Sequence, residues 1–138
     1  KFPMIPFDAE LPASSEAPPA WGDALDLAFF DCESFPFTTE PFFNEVVFHH
    51  RATRTLLCTD SFWSYPAQGL PAGTSLWKWG MDTVYLPFYK NVMIRDESAF
   101  LAVLERVASW DPKALLPCHG VYQAQGADDA FQGHLRRG

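Results

Sequence analysis

The strongest strand pattern lies in two consecutive stretches, NEVVFHH (44–50) and RTLLCT (54–59), each a short apolar run flanked by polar residues. Such short bounded runs are read as strands. The joining segment, Arg51-Ala52-Thr53, is short enough for a hairpin. LDLAFF (25–30) predicts a further short strand. Over 97–109 the pattern changes: Phe100, Val103, Leu104 and Val107 recur at i, i+3, i+4 and i+7, one face of a helix. Asp96 is placed to cap that helix, and Trp110-Asp111-Pro112 ends it. ALLP (114–117) reads as a short buried strand running into Cys118-His119-Gly120. ADDAFQGHLRR (127–137) predicts a last helix, with acids near its start and arginines near its end, as the helix dipole favours.

The stretches between carry weaker patterns. Residues 31–43 read as a loop rich in phenylalanine. Residues 61–80 also read as loop, with Gly69, Gly73, Gly80 and two prolines. Over 81–94 the pattern is ambiguous, and Pro87 argues against an uninterrupted helix. Residues 1–24 hold five prolines and the apolar residues Phe2, Met4, Ile5, Phe7, Leu11 and Trp21. They read as an extended arm that lies on a surface through aromatic anchors, either on its own domain or on a partner. The expected organisation is thus an arm over 1–24 and a domain over 25–138.

Composition sharpens this picture. The 138 residues are enough for one core. They include 13 Phe, 5 Trp and 4 Tyr, and the formal charge is −7. Residues 1–50 carry nine acids and one base, so the acidity lies in the first third. With no run of Lys or Arg the chain lacks the electrostatic footprint of a nucleic-acid binder. No stretch approaches 18 uncharged apolar residues, so no transmembrane segment is expected. Cys32, Cys58 and Cys118 are spaced too widely for a disulfide framework or a zinc knuckle, which suggests a reducing compartment.

Two segments share one design, an apolar strand that ends in a metal-capable side chain: RTLLCTD ends at Asp60, and ALLPCHG contains His119. Taken with WKWGMDTVYLPFYKNVM (77–93), NEVVFHHRATRTLLCTD and LLPCHG resemble an uncharacterised domain-of-unknown-function family of photosynthetic organisms, itself similar to the metallo-β-lactamase fold. The resemblance runs from about Trp21 to about Leu135. It implies an α/β fold, a partial metallo-β-lactamase-like sandwich of mixed sheet and flanking helices corresponding to the C-terminal half. It also implies that Asp60 matches the superfamily's metal-bridging aspartate and His119 its final histidine ligand.

The departures set the functional expectation. The superfamily's His-x-His-x-Asp-His cluster is absent from this sequence, and the loop 38–45 lacks the expected histidine. His49 and His50 are adjacent in a strand and point to opposite faces. Two ligands fall short of the three that a catalytic zinc takes from its protein. The expectation is a non-catalytic, degenerate hydrolase-like domain with no cofactor. It would serve as an accessory or structural subunit of a larger protein assembly, in a plastid, soluble or peripheral to a membrane complex. Candidate partner-binding residues are Phe2, Phe7, Trp21, Trp77, Trp79, Tyr85, Phe88 and Tyr89. The alternatives are a zinc- or iron-dependent hydrolase whose first half lies outside this sequence, and a small-molecule binding module built on the Trp77–Tyr89 cluster. The two strand-end cysteines are expected to be buried, and His134 to be exposed.

Overall fold

The structure, a computed structural model, describes residues 21–66 and 68–137. Most of the expected arm, with Phe2 and Phe7, lies outside the described residues. The chain is α/β. Strands β1 (Leu25–Phe29), β2 (Val46–His50), β3 (Thr55–Ser64) and β4 (Ala114–Gly120) form one open sheet in that order. The first two pairings are antiparallel, and β3 with β4 is parallel. A parallel pair needs a long crossover, and the helical segment 72–109 provides it.

The expected strands and the helix α3 (Glu97–Ser109) are present. Asp96 caps α3, its carboxylate accepting the Ala99 N–H at 2.9 Å. Helix α4 (Ala127–Leu135) follows β4. Both helices pack on one face of the sheet. Phe30, Val47, Leu56 and Leu115 from the sheet region meet Phe100, Leu104 and Phe131 from the helices there. His49 points into this layer, donates a hydrogen bond from Nδ1 to the Asp26 carboxylate at 3.0 Å and stacks on Trp110, while His50 points away and meets Thr53.

Four expectations need correction. Residues 72–80, read as loop, form α1 (Ala72–Gly80). The backbone then continues helically through Pro87, as a π turn (Met81–Tyr85), a short α2 (Leu86–Phe88) and a second π turn (Tyr89–Met93). Proline lacks one donor, and the wider π turns on either side shift the hydrogen-bond register around that gap. His134, expected to be exposed, lies against Phe62 and Trp63 with ring centroids 4.9 and 4.3 Å away. Of the cysteines, all three free, Cys58 is buried as expected and Cys32 is buried too, but Cys118, expected to be buried, is exposed.

The other sheet face is also apolar. Strand register aligns Leu27, Phe48, Leu57 and Leu116 in one row across all four strands. Trp21 packs edge-on to Phe48 at 6.2 Å, and Leu116 remains 45% exposed.

Candidate functional site

The site begins with an irregularity in the parallel pair. Cys58 faces Pro117 and Trp63 faces His119, so four residues of β3 lie between pairings where β4 has one. A bulge of this kind leaves backbone donors without their ladder partners. Glu45 takes them. Its carboxylate accepts the N–H groups of Thr59 at 2.5 Å, Asp60 at 2.9 Å and Ser61 at 2.5 Å. Asn44, in the left-handed region at φ 48°, turns the chain so that buried Glu45 reaches them.

The bulge aims Asp60 at the neighbouring strand. Asp60 Oδ1 lies 3.0 Å from His119 Nε2, and the two side chains are 39% and 49% exposed. The two residues singled out in the sequence are therefore brought together, 59 positions apart in the chain. Among the described residues no group of three or more His, Cys, Asp or Glu side chains is placed to hold a metal ion. The pair does not by itself fit the ligand set of a catalytic metal.

Beside the pair opens a cleft of about 340 Å³. Its walls are the rings of Phe42, Phe43, Trp63, Tyr65, Trp77 and Tyr85, with Met81 alongside. Trp63 and Tyr85 are in contact at 6.0 Å, tilted by 51°. The Trp63 indole N–H donates to Asp82 Oδ1 at 2.8 Å, and Lys78 also bonds to Asp82. That anchor fixes the inner wall. Phe42 and Phe43 come from the loop before β2, and Trp77 from α1.

Deeper in, a small pocket continues the cleft past Asp60 and Tyr85 to Glu33, Glu45 and Ser61. The Tyr89 hydroxyl donates to Glu33 Oε1, while Glu33 Oε2 and Ser61 Oγ have no partner among the described residues. Burial raises the Glu33 carboxyl to about 7, the nearby Glu45 adds to this, and the Tyr89 bond opposes it. Burial and the Glu33 charge push the Tyr89 phenol far up. On the other flank, burial is the main cause holding His134 down at about 4.

Glu33 makes stability depend on pH with a definite sign. Its folded value, about 7, stands above its ordinary 4.5. The favourable contribution is complete below 4.5 and is lost as pH rises through 7, about 3 kcal/mol at about 1.4 per pH unit. His134 acts oppositely: its contribution is present above 6.5 and lost as pH falls toward 4. The two slopes offset each other in wild type between 4.5 and 6.5. Glu33→Gln is expected to unmask the histidine slope. Compared by urea unfolding with wild type, it should be more favourable at pH 8 than at pH 4.5 by about 3 kcal/mol. The same difference at both pH values would show that Glu33 is not the titrating group.

The described candidate partner residues separate into four places. Trp77, Trp79 and Phe88 are exposed on the helical segment, and Trp21 on the outer sheet face. Tyr85 lines the cleft. Tyr89 is buried against Glu33, a core position rather than a contact surface. Sequence reasoning missed Glu33 and Glu45. The one signal available for Glu45 was a carboxylate placed immediately before the apolar run VVF.

Comparison of the chain with protein-family models, with curated proteins and with solved structures finds no match.

Proposed function

We propose that this chain is a non-catalytic, degenerate hydrolase-like domain that works as an accessory or structural subunit of a larger protein assembly. The observation that carries the reading is the apolar row Leu27–Phe48–Leu57–Leu116 on the sheet face opposite the helices. A two-layer sandwich of the metallo-β-lactamase type packs a second sheet there. Leu27 is already buried and Phe48 and Leu57 are half-buried, so a protein partner that completes the layer would cover the open end of the row, where Leu116 is exposed. The exposed rings of Trp77 and Trp79 extend the surface available for contact. A plastid location follows from the resemblance of the RTLLCTD and LLPCHG segments and is part of the proposal. Among the described residues no helix is long and apolar enough to cross a membrane.

The runner-up, a metal-dependent hydrolase, draws on the Asp60–His119 pair. Metal analysis of the natively isolated protein separates the two readings. Stoichiometric zinc, iron or manganese that is lost in Asp60→Ala or His119→Ala would overturn the non-catalytic reading. For the assembly, native sizing is expected to give a mass well above 15.6 kDa. Leu116→Lys, which puts a charge on the exposed end of the row, should release the chain while leaving its helical circular dichroism unchanged. A monodisperse wild-type monomer would refute the partner.

A further inference from the structure

We propose that the cleft beside Asp60 binds a small organic cation, a compound with a quaternary or tertiary ammonium group. This site is separate from the apolar row of the proposed partner surface, since none of Leu27, Phe48, Leu57 and Leu116 lines it, and it shares only Trp77 with the wider contact surface. The chemistry of its walls carries the inference. Six aromatic rings surround the space, and the face of each ring carries the negative end of its quadrupole. The single carboxylate in the lining is Asp60, and no Lys or Arg side chain joins it. His119 takes one oxygen of that carboxylate, at Oδ1. The second oxygen has no partner among the hydrogen bonds of the described residues.

A cleft for a purely apolar ligand has no use for a carboxylate at its end, because desolvating one is costly unless a partner compensates. A cleft for an anion would present a guanidinium, an ammonium or free backbone N–H groups. Here the nearest freed N–H groups, at 59–61, are already taken by Glu45. That bond places a second carboxylate directly behind Asp60. The inner pocket is lined by Asp60, Glu45 and Glu33, again with no Lys or Arg, a set of side chains that suits a cation better than an anion. The volume, about 340 Å³, exceeds an ammonium head group and admits a small molecule carrying one. The Trp63–Asp82 anchor holds the cage in place before binding, which lowers the ordering cost.

Choline and its neutral isostere, 3,3-dimethylbutan-1-ol, test the charge with shape held constant. Binding is followed by calorimetry and by quenching of tryptophan fluorescence on the full chain. Choline is expected to bind saturably and at least about tenfold more tightly than the isostere. Asp60→Asn keeps the side-chain shape and should remove that preference while leaving isostere binding in place. Trp77→Leu, a change at an exposed ring, should weaken choline by several fold without affecting folding. Equal binding of the two probes would overturn the proposal in favour of a purely apolar cleft. No saturable choline binding up to about 10 mM, with circular dichroism showing a folded protein, would also overturn it.

Discussion

Glu45→Ala is expected to destabilise the protein by about 5 kcal/mol, the largest loss from any single side chain outside the apolar core. The magnitude follows from three bonds made by one carboxylate. Glu45 accepts the N–H groups of Thr59, Asp60 and Ser61. A hydrogen bond to a charged group contributes about 1.5–3 kcal/mol. Solvent recovers part of the loss, because Thr59 is exposed and Asp60 partly so. Ser61 is buried, and its donor would be left with no partner in the low-dielectric interior. Glu45→Gln retains one acceptor oxygen but turns an amide N–H₂ toward donors, so about half the loss is expected. Urea unfolding gives the magnitude, and the NMR resonances of the His119 ring give the consequence for the site. When the bulge relaxes, Asp60 moves off His119 and the hydrogen bond between them is lost. A loss below about 2 kcal/mol in Glu45→Ala would show that Glu45 does not hold the bulge.

This dependence also explains why half of the site could be read from the sequence and half could not. Asp60 and His119 stand at the ends of apolar runs, and a run ending in a polar residue is a one-dimensional signal. Glu45 acts on residues 14 to 16 positions later. No periodicity encodes that contact, which exists only because β2 and β3 fold back on each other. Glu33 is harder still. It lies in a loop, and its environment is set by Tyr89, 56 residues away.

The elements divide along a similar line. Strands β2 and β3 carry short apolar runs, with Val47 and Leu56 toward the core and Phe48 and Leu57 on the other face, and helix α3 presents one face to the core; runs and faces of this kind are what a hydrophobic pattern reports. Helix α1 buries none of its residues fully and leaves Leu76, Trp77 and Trp79 exposed. Its apolar positions therefore answer to the cleft and to contacts outside the core, while Gly73 and Gly80 lower its propensity. A helix of this kind reads as loop. The same reasoning covers His134. Its place on a helix was legible, but its packing between Phe62 and Trp63 depends on how α4 meets β3.

Gly120→Ala is expected to cost about 4 kcal/mol and to dismantle the site from the opposite strand. Gly120 sits at φ 115°, a conformation that side chains rarely adopt, which alone contributes about 1–3 kcal/mol. A Cβ there would also fall 1.7 Å from the Ser64 carbonyl oxygen. That oxygen cannot yield cheaply, since it belongs to the paired backbone of β3 and accepts the Val121 N–H at 2.7 Å. The strands must separate locally, adding a cost like that of overpacking, about 1–3 kcal/mol. Separation there acts on His119, the preceding residue, and so on its bond to Asp60. Gly133→Ala is the matched control. It lies within α4 with open space around its Cβ position, and alanine should stabilise the helix by about 0.5–1 kcal/mol. The two substitutions add the same methyl group and are expected to have opposite signs. If Gly120→Ala were as benign as Gly133→Ala, the close approach of β4 to Ser64 would be wrong. The positions of His119 and Asp60 beside the aromatic cleft, which depend on it, would then fall as well.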